Sequence, residues 1–125
     1  QMTSAMRLSD AELELMAVLW SRSPLAASEI IAALAGTRDW SATTVKTMLS
    51  RLVDKGALES RAEGRRFLYS PKIGRDSVAA DQGGRLVDRL FGGRLSPLVA
   101  QLAASRDLSE EDIAELEALV RTLRK

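Results

Sequence analysis

Residues 10–70 contain three short amphipathic segments followed by one alternating segment, and this order constrains the fold more than any other feature of the sequence. In the first segment, about residues 10–21, apolar side chains recur with the spacing of one helical face. They are Leu13, Met16, Ala17 and Trp20. Ser9 and Glu12 fit a capping box before this stripe and Pro24 follows it, so the segment is predicted to be a helix.

The second and third amphipathic segments are also predicted to be helices, each with one face for a core. The second covers residues 27–34 and is followed by Gly36, which favours a helix end. Its apolar side consists of Ile30, Ile31 and Leu34. The third begins after Ser41, a suitable N-cap, and runs to about Lys55, just before Gly56. Its apolar side consists of Val45, Met48, Leu49 and Leu52.

Residues 57–70 have a different pattern, which is typical of a β-hairpin. Glu63-Gly64 is a turn signal, and after it Phe67 and Tyr69 alternate on one side of an extended segment. Three compact helices followed by a two-stranded hairpin is the element order of a winged helix-turn-helix. The sequence therefore predicts a winged-helix domain in residues 5–72.

The remaining chain, residues 73–125, is predicted to be helical and to form a second domain. One helix covers about residues 74–91 and ends at Gly92-Gly93, the next begins near Leu95, and the last is capped by Ser109. Three amphipathic helices of this size cannot bury their apolar sides alone, so we expect them to pack against a second copy of the chain. The predicted fold class is mainly α with a small β-hairpin: a winged helix-turn-helix domain plus a helical dimerisation domain.

Composition excludes most catalytic and metal-dependent functions. The 125 residues include no Cys and no His, which excludes disulfides, zinc fingers, Cys nucleophiles and His-based acid–base catalysis. The sequence also lacks a Gly-rich phosphate-binding loop. We therefore expect a protein that is not an enzyme and needs no metal or cofactor. No apolar run is long enough to cross a bilayer and no signal peptide opens the chain, so we expect a cytoplasmic protein without membrane insertion.

The net charge of +1 conceals a basic middle section. Residues 41–72 carry seven Lys or Arg against three Asp or Glu, whereas residues 1–40 carry three against five and residues 73–125 carry eight against nine. A solvated charged surface is one interpretation of such a section. A surface that binds a polyanion is the other.

The third predicted helix favours the polyanion interpretation. At about 100° per residue, the side opposite its apolar positions carries hydroxyls and two cations. They are Thr43, Lys46, Thr47, Ser50 and Arg51. Hydroxyl and cationic side chains can contact base edges and phosphates in a DNA major groove. The hairpin adds Arg61, Arg65 and Arg66. We expect these side chains to contact DNA phosphates; the alternative interpretation is that they are solvated surface charges.

Several stretches spread over nearly the whole chain match a known pattern. They are Leu8-Ser9-Asp10-Ala11-Glu12 leading to Val18-Leu19-Trp20, Asp39-Trp40-Ser41 with Thr43-Thr44-Val45-Lys46-Thr47, Arg51-Leu52-Val53-Asp54-Lys55-Gly56, Phe67-Leu68-Tyr69-Ser70-Pro71, Phe91-Gly92-Gly93, Leu98-Val99, and the run from Leu108 to Leu116. Together these stretches resemble the penicillinase-repressor family (BlaI/MecI/CopY), although each alone is a weak signal.

The resemblance implies a homodimeric bacterial transcriptional repressor that binds palindromic operators of the TACA/TGTA type, in front of β-lactamase or related resistance or stress genes. It also implies which residues contact double-stranded DNA. These are Thr43, Thr44, Lys46, Thr47 and Arg51 in the third helix. Ser41 matches the start of that helix, while Ala42 stands where the family often has Pro. Arg65 and Arg66 complete the predicted DNA-binding set.

The resemblance also bears on how repression ends. Copper-responsive members bind metal through Cys clusters, which this sequence lacks. Antibiotic-responsive members are cleaved in the dimerisation domain, a route that involves a membrane sensor-protease. The corresponding position here is Gln101-Leu102, where the family usually has Asn-Phe. A plain helix core is the alternative interpretation of that segment.

Two other functions remain open from the sequence. One is a winged-helix regulator that senses a small molecule, which requires an apolar pocket with convergent polar groups. The other is a winged-helix module that binds a protein partner. That module would show no salt-sensitive binding to DNA.

Overall fold

The computed structural model describes residues 7–124, and this range contains six helices and three strands. In chain order they are α1 (Asp10–Ser21), β1 (Leu25–Ala26), α2 (Ala27–Leu34), α3 (Ala42–Lys55), β2 (Leu58–Glu63), β3 (Arg66–Pro71), α4 (Arg75–Phe91), α5 (Leu95–Ser105) and α6 (Glu110–Leu123). The predicted class, mainly α with a small β-hairpin, is confirmed.

The chain divides into two compact units, Gln1–Gly83 and Gly84–Lys125. The division falls within α4, whereas the boundary drawn from the sequence lies just before that helix. The extents 5–72 and 73–125 of the two functional domains stay a prediction, and residues 5 and 6 lie outside the described residues.

Helix α1 begins at the predicted capping box. Ser9 Oγ accepts a hydrogen bond from the backbone N–H of Glu12 at 3.1 Å, and Glu12 Oε1 accepts one from the N–H of Ser9 at 2.9 Å. This pair satisfies two backbone N–H groups that the first helical turn would otherwise leave without partners.

The buried face predicted for α1 is confirmed at Met16 and wrong at Ala17, and Trp20 is partly buried against the core. Leu15, Met16 and Leu19 are buried, whereas Ala17 is exposed and the predicted Leu13 is only partly buried. Leu15 and Leu19 lie outside the predicted stripe, so α1 has apolar side chains on more than one side. The apolar spacing therefore fits either of two buried faces. Packing against α2 and β3 selects the face that fills the core.

The core of the first unit brings α1, α2 and α3 together. Ile30 and Leu34 of α2 are buried as predicted, and Ile31 is half-buried at the edge. The four predicted positions of α3 are all buried: Val45, Met48, Leu49 and Leu52. Removing these apolar side chains from water is the main driving force for this packing.

The hairpin is confirmed, and it belongs to a sheet of three strands in the order β1-β3-β2. Strands β2 and β3 are antiparallel, with Glu63 opposite Arg66 at the turn, where Gly64 has a φ of 63°. Strand β1 pairs with β3 through Leu25 and Ala26. Strand β1 was not predicted, because two residues are too few to show a periodicity.

Two long-range contacts attach the segment after the hairpin to the rest of the first unit. Trp20 Nε1 donates to the carbonyl of Ile73 at 2.9 Å. The side chain of Gln82 forms a reciprocal pair with the backbone of Leu8, accepting from its N–H at 2.9 Å and donating to its carbonyl at 3.3 Å. These bonds fix the first part of α4 within this unit.

The second unit consists of the rest of α4 followed by α5 and α6. Gly92 and Gly93 end α4 with φ of 59° and 89°, a region that glycine adopts without strain. Ser109 caps α6, accepting from the N–H of Asp112 at 3.0 Å. No residue of α5 or α6 is buried. Among residues 7–124, no helix is both long and apolar enough to cross a membrane.

Candidate nucleic-acid interface

The core determines which side of α3 faces solvent. Its apolar stripe is held against the core, so the opposite side projects outward. The predicted contact residues on that side are all exposed: Thr43, Thr44, Lys46, Thr47 and Arg51. The structure therefore brings these residues together on one face of one helix.

Ser41 and Thr44 form the start of α3. Ser41 Oγ accepts from the N–H of Thr44 at 3.1 Å, and the two hydroxyl oxygens lie 3.0 Å apart. The predicted N-cap is therefore confirmed. The bond between the two hydroxyls uses only one of their two protons, so the other proton can be donated to an external acceptor without opening the cap.

The other four contact candidates are unpaired. The side chains of Thr43, Lys46, Thr47 and Arg51 make no hydrogen bond or ion pair with any residue of the described range 7–124. Three of these positions, 43, 46 and 47, lie within the first two turns of α3. This is the end that reads base edges in helix-turn-helix proteins.

The C-terminal end of α3 is joined to the start of α1 by hydrogen bonds of Lys55. Lys55 Nζ donates to Glu12 Oε1 at 2.6 Å and to the carbonyl of Arg7 at 2.9 Å. Burial raises the pKa of Glu12, but hydrogen bonds from Lys55 and from the N–H of Ser9 outweigh it, so the pKa lies below its ordinary value. Glu12 is thus a buried carboxylate that is ionised and paired.

The loop between α2 and α3 is held by a contact that was not predicted from the sequence. Arg38 Nε donates to Glu14 Oε1 at 2.8 Å and Arg38 Nη2 donates to Glu14 Oε2, and the guanidinium lies 5.3 Å from the centroid of the Trp40 ring. A bidentate Arg–carboxylate pair has a defined geometry, and cation–π contact adds to it. Glu14 and Arg38 are separated by 24 residues, so no local pattern reveals the pair.

The two predicted arginines of the hairpin differ in environment. Arg65, at the turn, is exposed and forms no ion pair or hydrogen bond with the described residues. Arg66 Nη2 donates to Glu63 Oε1 at 3.2 Å, and both side chains are more than half exposed. Such an exposed pair stabilises little and exchanges readily with another anion. Arg61 is also exposed, on β2.

Gln101 and Leu102 lie in the middle of α5 and both are exposed. The carbonyl of Leu102 accepts hydrogen bonds from the N–H of Arg106 at 3.0 Å and from Ser105 Oγ at 3.4 Å. The bond between Gln101 and Leu102 is therefore in helical backbone, accessible from solvent but not extended.

A winged helix whose α3 presents an unpaired face of hydroxyls and cations is the architecture of a protein that reads DNA. Comparison with known proteins identifies the family of DNA-binding proteins to which the chain belongs. The family model described as penicillinase repressor matches residues 8–122. The chain therefore belongs to the penicillinase repressor family, as the resemblance predicted. It is a DNA-binding transcriptional repressor and not an enzyme.

Relatives and solved structures agree with this assignment. The chain is 39% identical to the penicillinase repressor of Bacillus licheniformis over 110 residues, which cover 88% of this chain and 86% of the relative. A structure of Bacillus licheniformis BlaI, in its monomeric form with the blaP half-operator, is 45% identical with a TM-score of 0.51. The match covers 61% of this chain and 88% of the chain in that structure. A structure of a MarR variant from Escherichia coli is similar in fold, with 20% identity and a TM-score of 0.55. The match covers 94% of this chain and 79% of the MarR chain.

Proposed function

We propose that this repressor acts as a homodimer on a palindromic operator of the TACA/TGTA type, with α3 in the major groove and the β2–β3 hairpin beside it. The observation that carries the proposal is the exposed, unpaired face of α3 formed by Thr43, Lys46, Thr47 and Arg51. Groups that have no partner within the protein exchange only bonds to water when they bind DNA, whereas paired groups must also give up a contact within the protein.

The residues differ in their proposed roles. Lys46 and Thr47 contact base edges, and Thr43 and Arg51 flank them on the same face. Ser41 and Thr44 hold the N-terminus of the helix at the DNA backbone. Arg65 and Arg66 contact phosphates. The half-operator bound to BlaI supports a DNA-binding surface in this chain, because that BlaI structure is 45% identical and covers 61% of the chain.

The homodimer is supported by the second unit. Its helices α5 and α6 and the loop between them expose nine large apolar side chains, each at least 39% accessible in the single chain. They are Leu95, Val99, Leu102, Leu108, Ile113, Leu116, Leu119, Val120 and Leu123. A solvent-exposed set of this extent indicates an interface, and two-fold symmetry of a dimer matches the symmetry of a palindrome. Residues 73–125 are accordingly proposed as the dimerisation domain.

Two further elements of the proposal concern regulation. The target genes are those of a β-lactamase or of a related resistance or stress function, as in the named relatives. Repression ends by cleavage between Gln101 and Leu102, triggered by a membrane sensor-protease. A cut there divides α5 and weakens the contacts that join two copies.

A binding titration tests the core of the proposal. Fluorescence anisotropy is measured with a duplex that carries TACA and TGTA as an inverted pair and with a duplex in which both are scrambled, over about 50–200 mM salt. We expect preference for the palindrome and a steep salt dependence. The variant Lys72→Ala removes an exposed cation outside α3 and the hairpin turn and should bind like the unmodified chain. Equal binding to both duplexes, or no salt dependence, would contradict the proposal and favour a protein-binding module.

A further inference from the structure

A cleft of about 440 Å³ lies in the first unit, bounded by the start of α2, by α3 and by β3. Its volume falls in the range of small-molecule binding sites in proteins. All three boundaries belong to the DNA-binding unit and two of them, α3 and β3, carry proposed DNA contacts.

The walls of the cleft are largely apolar. Phe67 and Tyr69 lie on the same side of β3, because side chains alternate along a strand, and they line the cleft with Ile31 of α2. Tyr69 and Ile31 also pack against the core. Phe67 is 55% exposed although it is one of the largest apolar side chains of the unit. Leaving an aromatic ring in water forfeits the free energy of its burial, so a flat apolar group that covered it would bind favourably.

The polar groups of the cleft are all suited to an anion. Lys46 and Arg66 contribute to its lining, Ser28 adds a hydroxyl, and none of the described lining residues is acidic. Among residues 7–124, the side chain of Lys46 has no partner. In the same range, Arg66 pairs only with Glu63, which is exposed. Two cations beside apolar walls complement a ligand with a negative group at one end and a flat apolar body.

We propose that this cleft binds a small organic anion with an aromatic body, of the aromatic carboxylate class, with the ring on Phe67 and the carboxylate between Lys46 and Arg66. Occupation of the cleft neutralises two cations that bind DNA in the function proposed above. Ligand and operator therefore exclude each other, and by linkage each weakens the binding of the other to the same extent. The competition rests on the proposed function, whereas binding to the cleft does not.

The first experiment uses the full-length chain without DNA. Amide NMR spectra are recorded during titration with naphthalene-2-carboxylate and, separately, with the neutral 2-naphthylmethanol. We expect saturable shifts at the start of α2, around Lys46 and along β3 for the carboxylate, and binding of the alcohol on the order of tenfold weaker, because the alcohol lacks the charged hydrogen bonds. Equal affinity of the two compounds, or shifts confined to the apolar side chains of α5 and α6, would overturn the proposal.

Matched variants separate ligand binding from DNA binding. Lys46→Ala and Arg51→Ala each remove one cation from the exposed face of α3, but only Lys46 lines the cleft. We expect Lys46→Ala to weaken the binding of naphthalene-2-carboxylate on the order of tenfold and Arg51→Ala to leave this affinity unchanged. Phe67→Ala should weaken the binding of both naphthalene compounds. Its side chain is exposed, so the fold does not depend on it.

The second experiment measures competition. Naphthalene-2-carboxylate is added to the complex with the palindromic duplex, and we expect the apparent Kd for DNA to rise in proportion to ligand concentration once the cleft is saturated. If the carboxylate leaves the amide spectrum of the cleft unchanged while Phe67→Ala weakens DNA binding, the cleft is part of the DNA surface and the proposal is wrong. If the carboxylate binds the cleft but the chain does not bind the duplex, the cleft assignment stands and the proposed function fails.

Discussion

Lys55, the last residue of α3, donates a 2.6 Å hydrogen bond to the buried carboxylate of Glu12 in the first turn of α1. The same carboxylate closes the capping box with Ser9. One side chain therefore stabilises the start of α1 and holds the end of the helix proposed to read DNA. Because Glu12 is buried and Lys55 is only partly exposed, solvent screens this pair less than the exposed pairs of the molecule.

The paired carboxylate gives a prediction about stability and pH. The pKa of Glu12 is lowered in the folded chain, so its stabilisation is complete above the ordinary value of 4.5 and is lost as pH falls through the folded value. At neutral pH, Glu12→Gln should lower the free energy of unfolding by about 1–2 kcal/mol, because Gln keeps the capping hydrogen bond but loses the charge. Thermal unfolding measures this difference, which should shrink in acid.

Two further variants check that interpretation. Glu12→Ala loses the cap as well as the charge and should be less stable than Glu12→Gln. Glu59→Gln alters an exposed carboxylate on β2 and should have little effect at either pH. A constant difference between Glu12→Gln and the unmodified chain from neutral pH to acid would show that ionisation of Glu12 is not the cause.

The proposed dimer predicts a specific response to one charged substitution. Leu116 lies on α6 and is 42% exposed in the single chain, so Leu116→Asp should leave the fold of one copy intact and disrupt the interface. Light scattering should give about 27 kDa for the unmodified chain, twice the 13.6 kDa of one copy, and half of that for the variant. Glu115→Ala, at an adjacent exposed position, serves as the control. A compact monomer for the unmodified chain would rule out the dimer.

Base reading and phosphate binding should respond differently to mutation. Thr47→Ala or Lys46→Ala should reduce the preference for the palindrome over the scrambled duplex by about 1–3 kcal/mol, since each removes a proposed contact to a base edge. Arg65→Ala should weaken binding to both duplexes equally and lower the salt slope by roughly one, because it removes a phosphate contact. Loss of discrimination in the Arg65 variant would show that the two roles are reversed.

The cleavage proposal predicts a defined product. In cells exposed to the inducer, mass spectrometry should detect one fragment that ends at Gln101 and one that begins at Leu102. The purified chain should resist cutting at this bond until α5 opens locally, because proteases act on extended backbone and this bond is helical. After cleavage, affinity for the palindrome should fall by orders of magnitude as the second half-site is no longer bound at high effective concentration. Derepression with every copy intact would exclude cleavage.

The elements that the sequence predicted well are those specified by local signals. The N-caps Ser9, Ser41 and Ser109 accept the expected backbone hydrogen bonds, and the apolar stripe of α3 is buried as its spacing predicts. A cap and a stripe each depend on residues within one or two helical turns. Such information is present in the sequence before any tertiary contact forms.

The features that the sequence did not predict depend on residues far apart in the chain. The buried face of α1 is set by packing against α2 and β3, and β1 exists only because β3 pairs with it. The contacts of Arg38 with Glu14 and of Lys55 with Glu12 join residues separated by 24 and 43 positions. For the candidate site, the exposed face of α3 was predicted correctly, whereas the cleft beside Phe67 requires three elements in their folded arrangement.

The two Trp side chains lie in different environments, so the intrinsic fluorescence of this repressor can report on two parts of its structure. The sequence contains two Trp residues, so its intrinsic fluorescence comes from Trp20, bonded to the carbonyl of Ile73, and Trp40, beside the guanidinium of Arg38 and next to the N-cap of α3. Emission from Trp20 reports whether α1 and the chain after the hairpin remain joined. Emission from Trp40 reports on the loop that leads into α3. Replacing one indole at a time with Phe therefore allows unfolding and occupation of the α3 face to be followed separately, without an added dye.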